Sequence, residues 1–271
     1  MSYIFKKKGL AEYIDGVFKH LLASRFNLPF LLPSLVSQCA VCRSWPAQQI
    51  CAPCIARFSP RVLRCSACAR LLPADLSAGL RTKPDLCIDC IRHPPPVDAT
   101  LVAVTYAFPW SELVTRYKFG DRPGWETSFA ALLLKADGVR ALIEGLQADD
   151  LIVPMPLSAE RLQSRGFNQA WALTRALARQ AGTPARLDAR LLLRVKHTQP
   201  QTTLHREARL ANVRNAFQLD PLRAQVVAGR HVVLVDDVMT SGASLFTAAE
   251  VLRAAGAAQI TAIAFARTSA T

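Results

Sequence analysis

Val232-Val233-Leu234-Val235-Asp236-Asp237-Val238-Met239-Thr240-Ser241-Gly242-Ala243-Ser244 is the stretch that decides how this 271-residue chain folds. Four consecutive apolar residues make a buried strand, and open α/β sheets place their ligands outside the carboxyl ends of such strands. Asp236 and Asp237 are expected at the mouth, just past the strand. Thr240 to Ser244 are small residues that lead into a helical pattern from Leu245 to Ala255, so backbone N–H groups and hydroxyls converge at a helix N-terminus suited to a phosphate. Gly242 lets the backbone approach such a ligand closely. Neither a Walker lysine nor a GxGxxG fingerprint accompanies the turn, which sets two other nucleotide folds aside. The remaining alternative is a strand-turn-helix whose acidic pair merely caps the helix.

Outward from this segment, strand and helix patterns alternate. Leu101 to Ala107 reads as a strand, about 111–119 and 127–145 as helices, Leu151 to Pro154 as a short buried strand, and about 158–181 as a helix. The basic region 186–217 reads as short irregular elements, and 231–266 as strand, turn, helix and strand. Such alternation predicts a parallel sheet with helices on both faces. Two further motifs face the same sheet edge. Val153-Pro154-Met155-Pro156-Leu157 is followed by Arg161 and by Arg165-Gly166-Phe167-Asn168-Gln169, placing two arginines to neutralise phosphate. Arg194-Val195-Lys196-His197-Thr198-Gln199-Pro200-Gln201 is followed by Arg206, Arg209, Asn212, Arg214 and Phe217.

All eight cysteines fall in four C-x2-C pairs: Cys39 with Cys42, Cys51 with Cys54, Cys65 with Cys68, and Cys87 with Cys90. The region between them has little periodic apolar pattern and must be held by something other than a core. Two such pairs complete a tetrahedral zinc site. The pattern favours sequential pairing, with an interleaved arrangement open. Disulfides, a redox dithiol and an iron–sulfur site are the alternatives; structural zinc fits four pairs in a reducing compartment best. Pro94-Pro95-Pro96 then makes a stiff linker and marks a domain boundary.

Lys and Arg total 33 against 20 Asp and Glu, a formal charge of +13. Residues 1–100 carry 13 Lys/Arg and 6 Asp/Glu, but eight thiolates around two Zn²⁺ would add about −4 there. The excess lies between Arg161 and Arg214, with eleven Lys/Arg against Asp188 and Glu207. That imbalance implies a phosphate-bearing partner. At the N-terminus, Lys6, Lys7 and Lys8 precede an apolar region as in a secretory signal, but Glu12, Asp15 and Lys19 interrupt it. Leu10, Ile14, Val17, Phe18 and Leu21 recur at helical spacing, so residues 1–36 are expected to form an amphipathic leader helix, docked on the protein or touching an anionic membrane surface. No apolar run spans a bilayer, and a cytoplasmic location is expected.

The segment 232–244 resembles the phosphoribosyl pyrophosphate motif of type I phosphoribosyltransferases: four apolar residues, two acids, then a Thr/Ser-Gly loop. With the upstream motifs and the four cysteine pairs, the chain is similar to the competence protein F (ComF) family, which also takes in GntX-like proteins. The likeness spans roughly 37–271 and leaves the leader unexplained. It implies a type I phosphoribosyltransferase fold, that is, a parallel sheet with helices on both faces and a hood, preceded by a small double zinc ribbon. The segments are then a leader at 1–36, the ribbons at 37–93 and the phosphoribosyltransferase domain at 97–271.

By the same resemblance, Asp236 and Asp237 are the catalytic acids that hold the ribose hydroxyls. Val238, Met239, Thr240, Ser241, Gly242, Ala243 and Ser244 bind phosphoribosyl pyrophosphate together with Arg161 and Arg165, the 5′-phosphate lying on 240–244. Arg194, Lys196, His197, Gln201, Arg206 and Arg209 belong to the hood. The implied cofactors are structural Zn²⁺, about two ions, and Mg²⁺ accompanying phosphoribosyl pyrophosphate. The implied partners are single-stranded DNA and a competence helicase or other DNA-uptake protein, with Phe167 and Phe217 as candidate stacking rings. Uptake or handling of single-stranded DNA is the function expected; the alternatives are a phosphoribosyltransferase of nucleotide metabolism and a non-catalytic sensor. Thr240 stands where enzymes acting on 6-oxopurines carry an aspartate, which disfavours that reaction, and Ser244 replaces the commoner threonine while keeping its hydroxyl.

Overall fold

The computed structural model describes residues 37–73, 85–119, 124–195 and 216–269. The leader and the expected hood residues Lys196, His197, Gln201, Arg206 and Arg209 lie outside them. Two short helices, α1 (Ala52–Phe58) and α2 (Ile88–Arg92), belong to the cysteine region. After the prolines come β1 (Ala99–Thr105), α3 (Trp110–Phe119), α4 (Trp125–Lys135), α5 (Val139–Gly145), β2 (Leu151–Pro154), α6 (Ala159–Arg165), α7 (Gln169–Ala181) and β3 (Arg186–Leu187). The chain ends with β4 (Leu192–Arg194), β5 (Phe217–Leu219), β6 (His231–Met239), α8 (Ala243–Ala254) and β7 (Gln259–Arg267).

Five strands form one parallel sheet in the order β1-β7-β6-β2-β3, and β4 pairs with β5 in a separate antiparallel ribbon. The continuous apolar runs of β6 and β7 are what a sheet buried on both faces requires. Val233 and Val235, with Ile152, Ile263 and Phe265, face the core made by α3, α4, α5 and α7. Val232 and Leu234, with Leu151, Val153 and Ala262, face α8. Phe265 stacks on Phe129 of α4 with centroids 4.0 Å apart. Each fully buried side chain of this size contributes about 1.5–3 kcal/mol.

Two expected helices are each two. The pattern over 127–145 breaks between α4 and α5 at Gly138, whose φ is +80°. The pattern over 158–181 breaks at Gly166, whose φ is +76°, and Asn168 restarts it by accepting the Trp171 N–H at 3.2 Å. Left-handed glycine followed by an Asn cap ends one helix and starts another whatever the apolar spacing.

The cysteine region is not a separate bead. Cys39, Ile50 and Cys54 share one apolar core with Trp110, Phe129 and Leu133. Trp110 Nε1 donates to the Phe58 carbonyl at 2.6 Å, and Ser128 Oγ donates to Gln49 Oε1 at 2.7 Å. Further on, Thr100 of the edge strand β1 donates its N–H to Ser66 O at 2.8 Å and its hydroxyl to Ala67 O at 2.6 Å. The proline run thus separates the two parts in sequence but not in packing. No helix among the described residues is long and apolar enough to cross a membrane.

Candidate functional site

The connections define where a ligand fits. From β2 the chain runs outward to β3, and from β6 it runs the other way to β7, so the order reverses between β2 and β6. Crevices form at such reversals, outside the carboxyl ends of the strands. Here β2 stops with Pro154 opposite Val235, while β6 continues beside β7 to Met239, opposite Arg267. Asp236 and Asp237 therefore lie on the strand, not past it as the sequence suggested. Pairing with β7 carries β6 beyond its other neighbour, and the acids occupy the stretch where the β2 side has opened.

Asp237 is only 7% exposed, and its Oδ1 lies 3.1 Å from Lys118 Nζ of α3. Asp236 is half-buried, and its Oδ1 accepts the Asp237 backbone N–H at 2.8 Å. Burial, then the adjacent Asp237 carboxylate, push the Asp236 carboxyl up to about 7, against the pull of Lys118 and Arg194. Arg161 on α6 and Arg194 on β4 are both lowered, chiefly by burial. Arg161 also feels Arg165, and Arg194 also feels Arg161, while Asp236 opposes both shifts. The arginines picked out from two separate motifs thus share one electrostatic neighbourhood with the acids. Arg165 Nη1 donates to Gln169 Oε1 at 3.0 Å, and its guanidinium lies 5.2 Å from the Phe119 ring.

Gly242 has φ of +88° and precedes α8. A Cβ there would come within 2.6 Å of Met239 Cε and 2.7 Å of Phe246 Cε2, so only glycine fits. Met239 and Ala243 are each 1% exposed. Their side chains pack inward and offer a ligand only backbone, whereas Thr240, Ser241 and Ser244 remain half-buried with polar groups at the crevice.

Sequence reasoning missed Lys118 and Phe119. The signal was Arg116-Tyr117-Lys118-Phe119 in the last turn of α3, but nothing in that run says that its lysine meets an acid on β6. Phe217 is the converse case. It is 2% exposed beneath Arg194, so it cannot stack on a ligand; Phe119, 71% exposed, and Phe167, 37% exposed, are the rings available beside the crevice.

The cysteines form two clusters with sequential pairing: Cys39, Cys42, Cys51 and Cys54, then Cys65, Cys68, Cys87 and Cys90, the sulfurs of each within 4.8 Å of one another. The Cys39–Cys54, Cys42–Cys51 and Cys68–Cys87 sulfurs lie 3.9, 3.6 and 3.7 Å apart. A tetrahedron with Zn–S arms near 2.3 Å has edges of about 3.8 Å, so both clusters fit zinc, and the spacings are far too long for disulfides. The two centres are built alike. Arg43 N donates to Cys39 O and Ala69 N to Cys65 O. Cys51 and Cys87 each cap a short helix and donate their N–H to Cys39 Sγ and Cys65 Sγ at 3.4 and 3.3 Å. A hydrogen bond with Cys68 pulls the Cys65 thiol down to about 4, while the same pairing, with burial, drives Cys68 well up. Thiols so crowded cannot all ionise without a cation among them.

Residues 171–271 match the family model described as "Phosphoribosyl transferase domain". The DNA utilization protein YhgH of Salmonella typhimurium is 35% identical over 78% of this chain and 87% of its own length. Competence protein F of Haemophilus influenzae is 33% identical over 64% of this chain and 75% of its own. Competence protein ComFC of Bacillus subtilis is 28% identical over 57% of this chain and 58% of its own. Among solved structures, the B. subtilis glutamine phosphoribosylpyrophosphate amidotransferase matches at 19% identity and a TM-score of 0.32, over 55% of this chain and 30% of that one, a likeness too faint to carry weight.

Proposed function

The chain belongs to the competence protein F and DNA utilization protein YhgH family, and from that premise we propose that it binds phosphoribosyl pyrophosphate in the crevice between β2 and β6 and handles single-stranded DNA at the same mouth. The observation that carries this reading is the meeting, at the topological switch point, of a paired carboxylate dyad, three arginines and a glycine-gated turn. Asp236 and Asp237 accept hydrogen bonds from the ribose hydroxyls; Thr240, Ser241 and Ser244, with the backbone ahead of α8, hold the 5′-phosphate. Arg161, Arg165 and Arg194 face the pyrophosphate. The carboxylates are oxygen donors of the kind Mg²⁺ takes, and the ion when bound would offset the pyrophosphate charge. Calorimetric titration with Mg²⁺ and phosphoribosyl pyrophosphate tests the reading, and pyrophosphate release across free nucleobases and single-stranded DNA separates an enzyme from a sensor. A chain that takes up no heat and yields no saturable binding does not carry this function.

The DNA arm rests on charge. The mouth carries Arg161, Arg165 and Arg194 beside the rings of Phe119 and Phe167, and an unpaired base stacks on any aromatic face. Single-stranded DNA is expected to bind with a log-affinity slope of roughly −0.7 per phosphate contact against log salt, and to compete with phosphoribosyl pyrophosphate. Arg206→Ala with Arg209→Ala is expected to weaken it more than Arg175→Ala, since Arg175 lies over Trp171 on α7. Affinity that is flat in salt and indifferent to saturating phosphoribosyl pyrophosphate would place DNA contact elsewhere.

A further inference from the structure

Behind the phosphate loop stands the second cysteine cluster, and two side chains connect them. Arg267 ends β7 and is 5% exposed. Its Nε donates to the carbonyl of Cys68, one of the four clustered thiols, at 3.0 Å. Its Nη1 reaches the Met239 carbonyl at 3.4 Å and also bonds the Thr240 carbonyl. One planar guanidinium thus ties the metal-binding turn to the first residues of the loop, a geometry that a single ammonium cannot reproduce. Phe246, in the first turn of α8, makes the second connection. Its ring packs against the apolar surround of Cys65, Cys68, Cys87 and Cys90, and the same ring closes the space over Gly242. The loop is therefore held at its start by Arg267 and at its glycine by Phe246, and both holds end on the same ribbon. Charge fits as well. Four thiolates on one Zn²⁺ carry about −2, next to the buried Arg267 and its neighbour Arg64, which donates to Ala69 O at 3.1 Å and to Thr105 Oγ1 at 2.9 Å.

We propose that the second ribbon is the positioning element of the phosphate loop, acting through Arg267 and Phe246. The proposal rests on the reading that residues 240–244 receive the 5′-phosphate, but half of its test does not. In zinc-loaded full-length protein, Arg267→Gln and, separately, Phe246→Leu are expected to keep their zinc and to speed amide hydrogen exchange at 240–244 relative to 232–235 in the ligand-free state. Arg267→Gln is also expected to weaken Mg²⁺-phosphoribosyl pyrophosphate about tenfold or more, and Arg267→Lys to recover only part of that loss. Arg140→Ala, on the exposed face of α5, serves as the unaffected control. Should Arg267→Gln fail to fold, Phe246→Leu decides by the same two readouts. Parent-like exchange and affinity in a folded, zinc-loaded variant overturn the proposal. If the parent itself does not bind phosphoribosyl pyrophosphate, the functional reading fails while the exchange comparison still judges the strut.

Discussion

At Asp236, burial and the neighbouring Asp237 raise the carboxyl to about 7, well above the unfolded value near 3.9. A raised folded pKa means that the stability tied to the protonated form is fully present below the unfolded value and is lost as pH rises through 7. Ligand-free protein at pH 8 therefore carries a repulsion that Asp236→Asn removes, while the amide oxygen can still accept the Asp237 N–H. Thermal melts are expected to show the variant more stable than the parent at pH 8, by on the order of 1–3 kcal/mol, with the advantage shrinking toward pH 5 and ligand affinity falling sharply at both. Equal melting at pH 8 would mean that the dyad is not under strain. The identity of both acids was readable in the sequence; the burial that raises Asp236 was not. Nor was the partner of Asp237, since Lys118 lies far from it along the chain and meets it only through the packing of α3 at the end of the sheet.

The strand, turn and helix of 231–254 were legible because each local signal agreed: a run of valines, a small-residue turn, then helical spacing. What the sequence could not supply was the length of β6 beyond β2, since strand length is set by the partner and not by propensity. Nor did apolar periodicity register Gly138 and Gly166, whose left-handed backbones divide helices that the pattern reads as continuous. Gly242 is where turn and helix depend most on one residue. Gly242→Ala puts a methyl into Met239 and Phe246 at φ of +88°, so a stability loss of about 1–3 kcal/mol is expected, with phosphoribosyl pyrophosphate binding lost even where the fold persists. Calorimetry beside a denaturant melt checks both. An alanine variant that binds like the parent would show that the turn adapts to its ligand.

Across the whole molecule, composition and the proline run suggest two modules, whereas the packing joins them. Contacts such as Trp110 to Phe58 and Thr100 to Ala67 link positions tens of residues apart and leave no trace in local pattern. Because Cys39 and Cys54 are part of the core that holds Phe129, stripping zinc with a chelator, or Cys54→Ser, is expected to lower the melting temperature of the entire chain in one calorimetric transition. A separate C-terminal transition at the parent temperature would show that the modules are independent after all. The bonds from Thr100 to the second ribbon have a further consequence. A parallel sheet offers its neighbours two open flanks; here β3 is only two residues long, too short to template another strand, and the ribbon screens the start of β1. Metal loss would expose that flank and turn it into a seed for strand-on-strand growth, so zinc-depleted protein should aggregate at temperatures where its helices still persist, as light scattering followed beside circular dichroism will reveal.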